Sequence, residues 1–284
     1  MKKLYILCLL LASILIYSNA CFSATVGNPL DLDVPSTSSM LRQQMIEDTM
    51  DEVEQVVKIK TSFDAEFVFD KDLRTPTEVK DAELEGQWYM AKIGTTIFNK
   101  IEPYIKLGTC TLKAEWSQND NVNMEVDSDY GFAWGGGIKA ILWDIEDWGV
   151  RLTGDFQYRT TDLDADEITR GNTSVINPGA EFEVSEYQLS LAISKKFELP
   201  LKWQNIYLVP YTGITFSDSD VDVSFRDSTL PTTDFALFST SEDNPIGYFL
   251  GLDILPSLTS SFIYSLEVRL MNEFALTLGG TMKF

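Results

Sequence analysis

Charged side chains recur at every second position of several otherwise apolar segments. Lys58, Lys60, Asp64, Glu66 and Asp70 interleave with Ile59, Thr61, Phe63, Ala65, Phe67 and Phe69. Arg151, Asp155 and Arg159 interleave with Val150, Leu152, Gly154, Phe156 and Tyr158, and Glu267 and Arg269 with Leu266, Val268 and Leu270. Successive side chains of an extended chain point to opposite faces, so each segment has one greasy face and one ionic face. On the inner wall of a closed sheet, such charges do one of two things. They ring a water-filled pore and set its ion preference, or they pair with one another and stop the lumen. These residues are the candidate pore lining, and both alternatives stay open at the level of the sequence.

Other chemistries find less support. The 284 residues carry 43 Asp+Glu against 22 Lys+Arg, a net charge of −21, which argues against a nucleic-acid partner because phosphates need a basic footprint. The chain has no His, which removes the commonest general base and metal ligand. Neither an enzyme, nor a metal, nor a cofactor is expected. Gly135-Gly136-Gly137 sits in an alternating segment and lacks the Lys-Ser/Thr of a phosphate loop, so it reads as close packing or a bend. The acid series Asp162/Asp164/Asp166 and Asp218/Asp220/Asp222 mimics the start of an EF-hand but lacks its Gly and final Glu. Solvated loop acids are the plainer reading.

The elements that must position the lining follow from the rest of the chain. Met1-Lys2-Lys3, an apolar run from Leu4 to Tyr17 and Ser18-Asn19-Ala20 form an export signal over residues 1–20, with cleavage as late as 24. The run is shorter than the roughly 20 residues of a spanning helix. Cys21 leaves lipidation as a side option, against a poor lipobox. Cys110 reads as a small apolar residue in a strand, since disulfide-dependent exported proteins carry larger, even sets. Residues 25–57 are a polar, Pro-containing linker followed by a short amphipathic helix over Ser38–Val57, with Met40, Leu41, Met45, Met50, Val53 and Val57 at helical spacing. That helix is expected to pack at a domain edge rather than enter a lumen.

From residue 58 to 284 the period is two. The first alternation is longer than the five or six residues usual in soluble strands and suits the 9–11 of a membrane strand. Further strands are Val150–Arg159, Tyr187–Ser194, Ser261–Leu270 and Phe274–Phe284, with less certain facing in Glu85–Phe98, Pro103–Ser117, Gly131–Trp143, Asn205–Asp218 and Ile246–Leu255. Connections alternate: Asn99–Glu102, Asp144–Asp147, Glu198–Gln204 and Pro256–Thr259 are short, whereas Lys71–Leu84, Gln118–Tyr130, Thr161–Phe182 and Ser219–Pro245 are long and polar. Short turns on one rim and long loops on the other mark outer-membrane barrels. The expected fold is therefore all-β: an antiparallel transmembrane barrel of about ten strands. A hairpin through Val221-Asp222-Val223 and Phe235-Ala236-Leu237 would make it twelve. Tyr104, Trp116, Trp143, Trp148, Tyr158 and Tyr264 suit interfacial girdles, and the terminal Phe284 suits recognition by barrel-assembly machinery. The competing architecture is a soluble periplasmic β-sandwich.

Several segments, in order, resemble the chlamydial major outer-membrane porin family. They are Val26-Gly27-Asn28-Pro29, Phe67-Val68-Phe69-Asp70-Lys71, Phe132-Ala133-Trp134, Ala140-Ile141-Leu142-Trp143, Phe156-Gln157-Tyr158, Leu191-Ala192-Ile193-Ser194, Leu208-Val209-Pro210-Tyr211-Thr212-Gly213-Ile214, Glu267-Val268-Arg269-Leu270 and the closing Met282-Lys283-Phe284. The resemblance implies a porin in the cell outer membrane, in contact with its lipid, passing small hydrophilic solutes or ions, with a homotrimer as the assembly common among porins. Family members are longer and Cys-rich, so their cross-linking role does not carry over. The alternative is a closed small barrel with a structural or surface-interaction role.

Overall fold

The computed structural model describes Val26 and the chain from Val57 to Lys283, apart from residues 74–78, 99, 119–121, 146–147, 172, 177–179, 201–204, 226–238, 242–244, 257–260 and 272. Ten long strands form the wall: β1 Val57–Asp70, β2 Val79–Ile97, β3 Ile101–Gln118, β4 Gly131–Ile145, β5 Val150–Arg170, β6 Ala180–Lys195, β7 Asn205–Phe225, β8 Ile246–Leu255, β9 Phe262–Leu270 and β10 Phe274–Lys283. Each pairs antiparallel with its neighbour in sequence. β10 returns to β1, from Lys60 opposite Lys283 to Asp70 opposite Phe274, with a bulge after Val68. The sheet is closed, so its backbone has no free edge.

Both ends of the barrel sequence and the short turns lie on one rim. Gly149 turns there with φ +60, a conformation that favours glycine. The other rim carries the long connections, and there the strands run further than the alternating segments suggested. β5 and β7 each have 21 residues, about twice what a bilayer requires. Thr161–Phe182, expected as a loop, is in large part strand, and within the loop expected over Ser219–Pro245 the stretches Ser219–Phe225 and Ser239–Ser241 are strand. Val221-Asp222-Val223, half of the hairpin that would make twelve strands, continues β7 and pairs with Val184, Glu183 and Phe182 of β6, while Asp220, Val221 and Asp222 pair on their other edge with the short strand Ser239–Ser241. Its other half, 235–237, lies outside the described residues, as do the Ser38–Val57 helix up to residue 56, the export signal and Phe284. Val57 itself already belongs to β1. Where β4 ends, the short strand Val122–Ser128 takes its place between β3 and β5 and continues the wall upward.

The chemistry of the two faces exchanges partway up the strands. Low on β6, Leu189, Leu191 and Ile193 point out while Gln188, Ser190 and Ser194 are buried inside. Higher on the same strand Glu183 points out while Val184 and Phe182 are buried. On β7, Ile214 and Phe216 give way outside to Asp218, Asp220 and Asp222, and inside Ser217 and Ser219 give way to Val221 and Val223. β5 repeats the exchange, from Phe156 out and Arg159 in to Asp162 and Asp164 out and Leu163 and Ala165 in. The alternation slips at bulges, as between Ala165 and Ile168 of β5 and at Leu142 and Trp143 of β4, but across this exchange it is kept and only the polarity of each face changes. The lower wall is built for an apolar surrounding and the upper wall for water.

Candidate functional site: the barrel lumen

The lumen has three levels. At the upper level, inward side chains from most of the long strands form one apolar cluster, including Leu84, Trp88, Leu112, Trp116, Leu163, Phe182 and Val223. Its members are almost wholly buried, as in the core of a soluble protein. Trp116, expected in an interfacial girdle, is part of it, and Cys110 lies in it fully buried, donating to Thr161 Oγ1 at 3.2 Å. Trp143, Trp148 and Tyr264, by contrast, are exposed on the outside, as expected of girdle residues.

The middle level is ionic. Arg159 Nη1 lies 2.9 Å from Glu66 Oε1, its Nη2 lies 2.9 Å from Glu186 Oε2, and its guanidinium stacks 4.2 Å over the Trp88 ring. Arg269 meets Glu66 at 3.1 Å, Glu273 at 2.9 Å and Glu267 at 4.0 Å. Two guanidiniums thus share the Glu66 carboxylate, and all these groups are buried. Such groups hold one another in place only because each desolvated charge has an opposite neighbour.

The lower level, towards the short turns, mixes charge with tyrosine. Lys60 is paired with Glu102, which Lys92 approaches at 3.7 Å. Tyr104 donates to Asp155 at 2.9 Å, and Lys139 approaches the same carboxylate at 3.9 Å. Tyr104, assigned from the sequence to a girdle, therefore points into the lumen instead. Gly137 makes room for it: a Cβ there would stand 2.5 Å from the Tyr104 hydroxyl. Of the Gly135-Gly136-Gly137 run, Gly135 and Gly137 each back onto a neighbouring strand or side chain, which is the close packing expected of it. A cavity of about 40 Å³, room for roughly one water, lies here among Lys60, Asp64, Lys92, Asp253, Glu267 and Val26.

The sequence-derived lining is accordingly dispersed over the barrel's height. Lys60, Glu66, Asp155, Arg159, Glu267 and Arg269 are buried inside, and Asp64 borders the cavity. Arg151 is placed differently. It is partly exposed near the short-turn rim, where its Nε donates to Asp144 at 2.9 Å. Asp70 is half-buried at the β1 bulge, and Lys58 pairs through its backbone with Thr96, its side chain lying outside the described residues. Among the inward groups that the sequence reading missed are Lys92, Glu102, Tyr104, Lys106, Lys139, Glu186, Asp253 and Glu273. They sit mostly on strands of uncertain facing; the outward Ile93, Ile101 and Ile105 beside them carry the missing period-two signal.

Above the apolar belt one exposed ionic group is well defined. Lys113 lies 2.7 Å from both Glu115 and Glu125, joining β3 to the short strand above it. Burial disfavours its charge, but the two carboxylates outweigh that and raise its pKa above the ordinary lysine value.

The fold and lumen together define a closed antiparallel β-barrel, apolar outside and polar inside at one level and inverted above it. No protein-family model matches the chain, and no curated protein matches it. Among solved structures it is similar to the translocator domain of the autotransporter NalP from Neisseria meningitidis (TM-score 0.38, 13% identity, 87% of this chain and 93% of that one). It is similar also to the transport unit of the autotransporter AIDA-I from Escherichia coli (0.38, 10%, 87% and 95%) and to the outer membrane protein OprG from Pseudomonas aeruginosa (0.35, 7%, 81% and 96%). Likeness at this level assigns no activity.

Proposed function

We propose that this protein is an outer-membrane β-barrel closed across its lumen, with a structural or surface-interaction role. The exchange of polarity along β5, β6 and β7 carries this reading. Below the exchange the outer wall offers Phe63, Ile105, Ile138, Leu191 and Ile214 to an apolar medium, which fits the hydrocarbon of a bilayer. Above it the wall is acidic outside and packed with Leu, Phe, Val and Trp inside, which fits a rigid turret standing in water. The short-turn rim is then periplasmic, and the turret, with Asp162, Asp164, Asp166, Asp218, Asp220 and Asp222 on its surface, faces outward from the cell. Among the described residues an apolar cluster stands over an interlocked ionic layer in the lumen, which supports closure to solutes.

The diffusion porin implied by the chlamydial resemblance is the second reading. It is supported by inward charges of both signs at membrane level, including Lys60, Asp64, Glu66, Asp155 and Glu267. Phe284 as an assembly signal and a homotrimer belong with either reading. Planar-bilayer recording of the refolded mature chain separates them, after a heat-modifiable gel shift has established the folded barrel. The closed reading expects a silent bilayer. Repeatable single-channel steps would replace it with the porin, and Asp64→Lys with Glu66→Lys should then move ion preference toward anions.

A further inference from the structure

Val26 lies far from the wall in sequence yet is buried inside the barrel. Its backbone N–H donates to Glu267 Oε1 at 3.1 Å, and its carbonyl accepts from Lys139 Nζ. Its side chain packs with Ala192, Tyr211 and Phe249. Tyr211 donates to the other oxygen of Glu267 at 3.0 Å, which fixes the carboxylate that receives the Val26 amide. Five strands thus contribute to one small site: β4, β6, β7, β8 and β9. We infer that this is a built receptor for an extended peptide backbone, and that its occupant is the chain's own segment at Val26, anchored in the lumen ahead of β1.

The chemistry of the site is complementary to one residue of main chain. A buried backbone donor and acceptor each need a partner, and here an acid takes the donor while an ammonium supplies the acceptor's hydrogen. Charge-assisted bonds of this kind are the stronger class. The apolar patch between them is sized for a small branched side chain. Val26, which belongs to the stretch read from the sequence as a linker, is therefore tied within the lumen at this point. The inference stands whether or not the barrel conducts.

The test uses the full mature chain, refolded in detergent or lipid, in a Cys21→Ser/Cys110→Ser background. Mild oxidation of Val26→Cys/Ala192→Cys should close an intramolecular disulfide. On a boiled non-reducing gel it appears as a faster band that reductant abolishes. Val26→Cys/Phe249→Cys provides a second pair should the first fail to refold. Val26→Cys/Leu189→Cys, with its second cysteine on the outer face, should stay open. In a separate measurement, a membrane-impermeant thiol reagent should label Ala192→Cys about tenfold faster once Val26→Asp, or Glu267→Gln with Lys139→Met, has opened the site. Absence of the disulfide in both inward pairs, equal cross-linking to Leu189→Cys, or equal labelling with and without the anchor would overturn the inference.

Discussion

Arg159→Met tests the ionic layer most directly. The substitution keeps an unbranched apolar side chain near Trp88 but removes the cation held at 2.9 Å from both Glu66 and Glu186. Breaking a buried ion pair costs about 3–5 kcal/mol, because the remaining charge stays desolvated. Glu66 keeps Arg269 at 3.1 Å and Glu186 keeps the attraction of Lys71, so the loss belongs at the lower end, about 3 kcal/mol. With a urea slope of about 2 kcal/mol per molar, the unfolding midpoint should drop by about 1.5 M. The assay is tryptophan fluorescence against urea on protein refolded into lipid vesicles, since Trp88 lies beneath the guanidinium. The double variant Arg159→Met/Glu186→Gln removes the carboxylate that lost its arginine and should recover about half the lost midpoint. A single variant within about 0.3 M of the parent, or a double variant no more stable than the single, would refute the account of the layer as mutually compensating charge.

Three further outcomes follow from the same geometry. Leu191→Arg, on the lower outer face, should destabilise the vesicle-embedded barrel by about 2–4 kcal/mol, read as a lower urea midpoint; an unchanged midpoint would remove Leu191 from the lipid level. Gly137→Val should abolish or strongly slow formation of the heat-resistant gel form, because even its Cβ would lie 2.5 Å from both the Tyr104 hydroxyl and the Phe156 carbonyl. Lys113→Met should change stability by no more than about 1 kcal/mol, and less at high salt, because its two carboxylate contacts are solvent-exposed. A large, salt-insensitive loss would contradict that placement.

Much of the wall was legible in the chain. Ile59 to Phe69 and Tyr187 to Ser194 alternate so cleanly that strand and facing follow from the period, and the alternating connection lengths point to a barrel of about ten strands. What misled was a rule that joins apolar to outward. Leu163, Phe182, Val221 and Val223 are apolar and inward, set among outward acids. Judged by their acids, these stretches read as loops, although the alternation continues into them, to Ala165 on β5 and Val223 on β7. Tyr104 and Trp116 misled in the same way, as aromatics near strand ends that turn into the lumen.

The amino-acid order by itself determined the period and the presence of two unlike faces, because backbone geometry forces neighbouring side chains apart. It did not determine which face meets which surrounding. That depends on closure, which turns one face of all ten strands onto a single axis, and on height, since lipid and water lie outside at different levels. Only the folded barrel brings Arg159 to Glu66 and Glu186, and Val26 to Glu267 and Lys139. Those partners are remote in the chain and share no local pattern, so their meeting is a property of the register alone.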